Sequence, residues 1–274
     1  LWENRSITIA PLIVAAVVLF GFLIGTFRLA SKIRSLPGLD PAQQQKVVVL
    51  PYSMAASVII LAGFVIGVFY CLDALNSERR DRSILFWKSL PVSDRVVVLS
   101  KACVPLLVQP LLSFVVALTV QLVMLVLSTV VLLGNGLNPM ALWTRLPLIQ
   151  MTFVMLYGLT VHALWFAPIY SWLLLVSAWA RRVTFLWAAL PFFAIYVVER
   201  LAFGRSSFAA LMKYRVIGAM AEAFSLNTGN ASVIRVWQLT PLKFLSSSGL
   251  WLGLIFAVVF LAAAVRLRRN REPI

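Results

Sequence analysis

Six long apolar runs, each closed off by charged residues, constrain this chain more than anything else in it. Arg5 and Arg28 bracket Ile7 to Phe27, and Lys46 and Asp73 bracket Val47 to Leu72. Lys101 and Arg145 bracket a third, very long run, of which Cys103 to Leu133 reads as helix before the turn-forming Gly134-Asn135-Gly136-Leu137-Asn138-Pro139. The fourth run lies between Arg145 and Arg181. The fifth begins at Val183 and is apolar to Val198, ahead of Glu199-Arg200. The sixth goes from Leu245 to Val265, ahead of Arg266-Leu267-Arg268-Arg269. About 20 apolar residues cross the hydrocarbon core as a helix. The other way across is a closed barrel, whose strands alternate apolar and polar residues; these runs do not alternate. The expected class is an all-α integral membrane protein with six transmembrane helices. Its spans are taken as 7–27, 47–72, 103–133, 147–178, 183–203 and 245–265, in one transmembrane domain over 1–274. The first run is too long and too uniformly apolar for the core of a signal peptide.

The composition excludes the soluble alternative. The chain is 62% hydrophobic and 12% charged, against about 45–50% and about 25% in soluble domains. A domain of this size has too much surface to cover with so few polar groups. Lys and Arg number 24 against 9 Asp and Glu, a net charge of +15. In a soluble protein that excess would suggest nucleic acid, but there is no basic stripe or RNA-binding motif, and no nucleic-acid partner is expected. The basic residues sit between the apolar runs, where they set orientation and meet anionic headgroups of membrane lipids. An even number of spans puts both termini on one side. The tight Arg181-Arg182 pair and the Arg-rich tail favour both termini inside. On that orientation Cys71 and Cys103 lie near the cytoplasmic ends of spans, a reducing setting in which no disulfide is expected.

Several chemistries lack their residues. The sequence has no GxxxxGK[ST] and no Gly-Lys pair, so it cannot hold ATP in a P-loop. No CxxC or HExxH spacing accompanies the single histidine, His162, and no metal is expected. Spans one to four carry no acidic residue at depth for a proton relay. A membrane-embedded enzyme would have to use Gln109, Gln121, Gln150, His162 and Glu199, which are scattered over different spans and depths. No catalytic residue is assigned, and the chain is not expected to be an enzyme by itself.

Three segments lie between spans. Residues 28–46 form an outer loop with Pro37-Gly38 as a turn. In the outer segment 204–244, Phe208, Leu211, Met212, Ile217, Met220 and Phe224 fall on one helical side, with Lys213, Arg215 and Glu222 elsewhere. That pattern suits an interfacial or re-entrant helix, or an ordinary structured loop. The inner loop 73–101 is the most informative. It contains Asp73, Glu78, Asp81 and Asp94, four of the nine acidic residues. The consecutive charges Glu78 to Arg82 are costly to bury in lipid and are expected to face water or a protein partner. Ile84, Leu85, Phe86 and Trp87 need a groove or the membrane interface. Pro91 stops this short helix, and Ser93 or Asp94 can cap a new one leading into span three.

The stretch Glu78-Arg79-Arg80-Asp81-Arg82-Ser83-Ile84-Leu85-Phe86-Trp87-Lys88-Ser89-Leu90-Pro91-Val92-Ser93-Asp94 resembles the first cytoplasmic loop of bacterial permeases of type-2 ATP-binding-cassette (ABC) transporters. There a Glu-Arg precedes a short apolar stretch and a Leu-Pro-Val/Ile-Ser turn. Leu1-Trp2-Glu3-Asn4-Arg5 is similar to the end of that family's N-terminal interfacial helix, and span count and loop placement agree. The resemblance implies the permease subunit of an ATP-driven exporter in a bacterial inner membrane. The pathway would form between this chain and a second copy of itself or a homologous permease. Two copies of a separate P-loop ATPase would bind ATP and Mg; this chain would hold no cofactor. The inner loop would carry the coupling helix, with Glu78, Arg79, Asp81, Arg82, Phe86, Trp87, Pro91 and Asp94 as its coupling residues. Re-entrant helices would follow span five. Phe64 and Tyr70 on span two, and Trp187, Phe193 and Tyr196 on span five, are aromatic and weakly polar, a lining that suits an amphipathic or lipid-like cargo. The competing readings are an embedded enzyme acting on lipids and a non-transporting anchor or sensor for an ATPase.

Overall fold

A computed structural model describes residues 6–81, 92–180, 182–204, 206–225 and 236–270. Its elements are α1 (Ser6–Thr26), α2 (Leu29–Arg34), a 3-10 turn at Leu36–Gly38, α3 (Pro41–Asp73), α4 (Asn76–Arg80) and α5 (Asp94–Cys103). A π turn at Val104–Val108 joins α5 to α6 (Gln109–Gly134). There follow α7 (Met140–Trp143), α8 (Leu148–Trp179), α9 (Thr184–Phe203), α10 (Ser207–Ala223), a 3-10 turn at Val236–Gln238, α11 (Pro241–Ser246) and α12 (Ser248–Asn270). No strand is present among the described residues. Six helical stretches are long and apolar enough to cross a membrane: α1, α3 with α4, α5 with α6, α8, α9 and α12. The architecture is that of a multi-pass α-helical membrane protein.

Helix ends differ from the apolar runs where local chemistry extends or divides a helix. α3 begins six residues before the second run, at Pro41, whose missing N–H costs nothing in a first turn. Gln43, Gln44, Gln45 and Lys46 are good helix formers and continue it. The third run is entered from Asp94, because the Ser93 side chain accepts from the Val96 N–H at 3.4 Å and caps α5. Pro105 has no N–H to give an α-helical ladder, and the chain passes it in the wider π turn. Before the sixth span Pro241 opens a separate short helix, so α12 starts at Ser248 and runs on through the basic tail to Asn270.

The chain divides into two compact units. The first comprises residues 1–64, 110–159 and 226–239. Its core is a stripe on α3, Val48, Tyr52, Ala55, Ala56 and Ile59, against Ala117, Val120, Met124 and Leu132 of α6. The spacing of three, four and seven puts these α3 residues on one face. Gln121 Nε2 donates to the Tyr52 carbonyl at 3.2 Å, and the Tyr52 and Ser128 hydroxyls bond at 3.0 Å. Such side-chain bonds between helices substitute for the hydrophobic drive that lipid cannot supply.

The second unit comprises residues 65–109, 160–225 and 240–274. Trp172 of α8 meets Phe192 of α9 edge-on at 5.3 Å and Phe260 of α12 at 5.4 Å, and its Nε1 donates to the Ala188 carbonyl at 3.2 Å. Further along α8, Trp165 is fully buried. Helix α10 lies against it. Of its expected apolar side, Leu211, Ile217 and Met220 are exposed, Phe208 and Met212 are half-buried and Phe224 is buried, while the close contact is made by the buried Gly218, Ala219 and Ala223. Small residues let helices approach closely, and bulky apolar ones need not be hidden from an apolar surrounding. The approach is close indeed: a Cβ on Gly249 would lie 2.7 Å from the Tyr214 hydroxyl, and one on Gly253 would collide with the Arg215 guanidinium.

Candidate functional site

The inner loop is anchored at its root by a network of buried and half-buried charges. The chain leaves α3 at Asp73 and restarts as α4, whose leading donors would otherwise be orphaned. Ser177 Oγ of α8 accepts from both Leu75 N–H and Asn76 N–H, each at 3.0 Å. Arg79 Nη1 donates to the Ala178 carbonyl at 2.7 Å and to that of Ala180 at 3.2 Å. These are acceptors at the C-terminal end of α8, where a cation also meets the favourable end of the helix dipole. Glu78 is 2% exposed. Its carboxylate accepts from Lys101 Nζ of α5 at 2.9 Å and is paired with Arg268 Nη1 of α12. Arg268 in turn donates through Nε to Asp94 Oδ1 at 3.1 Å. Each of these carboxylates thus meets a cation, the condition under which charge is tolerated away from water. Beside them Leu75, Val98, Ala178 and Ala264 form an apolar floor.

This arrangement corrects the expectation that the whole charge run Glu78 to Arg82 faces outward. Glu78 and Arg79 turn into the chain, because α5, α8 and α12 supply the opposite charges and carbonyls that make burial tolerable. Arg80 and Asp81 stay outside and pair with each other at 3.3 Å, their side chains 66% and 61% exposed. Asp94, the first residue of α5, is half-buried and serves Arg268. Arg82, Phe86, Trp87 and Pro91, expected as coupling residues, lie outside the described residues. Sequence reasoning missed Lys101, Ser177 and Arg268 as the partners that fix this root.

The aromatic residues expected to line a pathway lie on α3 and α9. Phe64 and Tyr70 are half-buried on α3. On α9, Trp187 meets Trp179 edge-on at 4.8 Å, while Phe193 and Tyr196 point outward. Within an 18-residue apolar stretch of each span, 6% is buried in span five and 17% in span one, against 56% in span four. The polar candidates for an embedded enzyme are equally separate in their roles. Gln121 binds the Tyr52 carbonyl, and His162 Nε2 bonds the Tyr170 hydroxyl at 3.0 Å within α8. Glu199 caps α10, accepting from Ser207 N–H at 2.9 Å and Phe208 N–H at 2.8 Å. Gln109 is buried and Gln150 is half-buried. No group of three His, Cys, Asp or Glu suited to a metal exists among the described residues.

A second charged anchor holds the segment after span five. Arg215 of α10 stacks over the Trp165 ring at 4.7 Å, donates to the Gly249 carbonyl at 2.9 Å and binds the Trp165 carbonyl. Trp165 Nε1 donates back to the Arg215 carbonyl at 2.7 Å. Burial pulls the Arg215 guanidinium down to about 10, and the neighbouring Tyr214 raises it in part; it remains a cation at neutral pH. Burial likewise holds the Tyr214 hydroxyl above its ordinary range, helped by the Glu222 carboxylate that accepts its proton at 3.2 Å. Lys243 of α11 pairs with Glu222 at 3.5 Å, so α10 and α11 are tied together. No family model, no curated protein and no solved structure matches the chain.

Proposed function

We propose that this chain is the permease subunit of an ATP-driven exporter, working as a dimer above two separate ATPase subunits, with the inner loop as its coupling element. The observation that carries the reading is the buried root of that loop. A coupling loop must pass force from a partner to the spans without dissipating it. Here Glu78 and Arg79, adjacent residues, grip the ends of α5, α8 and α12 through charge-assisted bonds, which are shorter and stronger than neutral ones. A push on the loop would reach four spans at once. Such a rigid root has no evident use in a solvated connector. The loop's resemblance to the first cytoplasmic loop of type-2 ABC permeases supplies the partner class.

Two further features support the reading. The most exposed spans are one and five, the pair through which two copies would meet. Of the polar residues that an embedded enzyme would need, Gln121, His162 and Glu199 are each engaged in a separate structural hydrogen bond. The test is co-purification from the native membrane. A P-loop ATPase should come down with this chain, and its ATPase rate should change when the chain is present. Recovery of the chain with no ATPase, under conditions that preserve its dimer, would sink the proposal. Orientation is checked separately. With Cys71 and Cys103 removed, cysteines at Asp40 and Lys88 should react with an impermeant thiol reagent from opposite sides, Asp40 from outside.

A further inference from the structure

In the first unit α1, α2 and α3 leave a groove of ≈ 420 Å³ between them. Its walls include Gly21 and Gly25 of α1 and Ala55 and Val58 of α3, and Lys32 of α2 is the one charged side chain in its lining. The hydroxyls in the wall satisfy each other or the backbone: Tyr52 bonds Ser128, and Thr26 Oγ1 donates to the Leu23 carbonyl at 2.6 Å. The walls therefore demand nothing polar, while the Lys32 end demands an anion. Lys32 belongs to a basic stretch of the chain with Arg28, Arg34 and Lys46, in which Asp40 is the one acidic residue between Arg28 and Lys46. Both α1 and α3 are candidate membrane spans, so the solvent that reaches the groove is lipid.

The geometry points to a resident anionic glycerophospholipid, with one acyl chain in the groove and its phosphate on Lys32. Buried methylenes favour the chain, and a basic collar at the membrane surface favours an anionic over a zwitterionic headgroup. The rival occupant is a helix of a second copy, since Gly21 and Gly25 have the four-residue spacing of close helix contacts. A helix with its side chains is about 10–12 Å across and is too thick for the groove, whose volume lies near the low end of small-ligand sites, about 300–1,000 Å³. The cation in the lining has no role against an apolar helix. This site is independent of the exporter reading and stands or falls without it.

Native mass spectrometry of the purified chain, titrated with phosphatidylglycerol and with phosphatidylcholine of the same acyl chains, tests it. The wild-type chain should prefer phosphatidylglycerol about fivefold, and Lys32→Ala should remove that preference, whereas Lys213→Ala, at an exposed cation elsewhere, should keep it. A Cβ at Gly25 or Gly21 meets nothing within 4 Å, so Gly25→Leu should fold normally, fill the groove and block both lipids. Gly21→Leu is the second filling variant if the first fails to fold. Equal binding of the two lipids by the wild-type chain would overturn the assignment. So would full retention of phosphatidylglycerol by the filling variants. Conversion of a dimer to a monomer by Gly25→Leu, with lipid binding unchanged, would give the groove to a second copy instead.

Discussion

Glu78 and Phe193 occupy each other's expected places: the carboxylate is 2% exposed and the phenyl ring 68% exposed. In a water-soluble domain that exchange would be ruinous. In a chain built for lipid it follows from what each group can find. Glu78 cannot be solvated by hydrocarbon, so it is satisfied from within by Lys101 and Arg268. Phe193 finds lipid or another protein surface as apolar as a core, so nothing compels it inward. Exposure thus separates two kinds of residue. Some are fixed by their own chain, and others are left for a membrane or a partner.

The sharpest way to break this contrast is to turn the buried charge around. Glu78→Lys puts a third cation against Lys101 and Arg268 in place of the carboxylate they share, and a broken buried pair costs about 3–5 kcal/mol. The variant should fail to accumulate as a folded protein, as seen in detergent thermal unfolding and in monodispersity on size exclusion. That outcome also bars Glu78 from serving as a simple docking probe. A second disruption acts through shape. Gly253→Val drives a branched side chain into the Arg215 guanidinium, and overpacking of this kind costs typically 1–3 kcal/mol. The melting temperature should fall, while Gly21→Val, at a position with open space, should leave it much less changed.

The failure to read Glu78 from the sequence has a physical origin. Charges bracketing apolar runs mark where helices cross, and Ser93 ahead of Asp94 marks a cap, because both signals are local. The Glu78 partners lie 23 and 190 residues further along the chain, and no local pattern pairs them. One signal was nonetheless present. On α12 the buried residues are Leu250, Gly253, Ala257, Ala264 and Arg268, spaced by three, four, seven and four. Following that small and apolar stripe along one face leads to Arg268, and not to Arg266 or Arg269, as the inward arginine. The contact face of α10 was harder to foresee. Its bulky side chains made the larger apolar stripe, but Gly218, Ala219 and Ala223 made the one that permits close contact.

Span five offers the converse test, on the exposed side of the contrast. If Trp187 and Phe193 await a second copy, replacing Phe193 by Ser should leave the monomer's thermal stability nearly unchanged. Its dimer should dissociate more readily, since an aromatic anchor at an interface contributes about 2 kcal/mol or more. Dimer dissociation followed by single-molecule photobleaching in liposomes reads this directly. An unchanged dimer would assign the α9 face to lipid alone.

Asp81 should show the smallest effect on the protein and the most instructive one on its work. It stands three residues from Glu78, at the end of the same short helix, yet its side chain is 61% exposed and, among the described residues, it pairs with the similarly exposed Arg80. Surface pairs of that kind contribute little, and Asp81→Lys should shift stability by no more than about 0.5 kcal/mol. The root of the loop, sealed by Glu78 and Arg79, should be untouched. If the loop docks on an ATPase, Asp81 is among the few charges left for the partner to meet, and reversing it should weaken co-purification and uncouple ATPase activity from transport together. Fold and coupling would then separate within one helix turn: Glu78 for the first, Asp81 for the second. Asp81→Lys with normal association and normal transport would mean that the exposed part of the loop contacts nothing. The buried network would then be a structural clasp, and the proposal of a lever would lose its outer end.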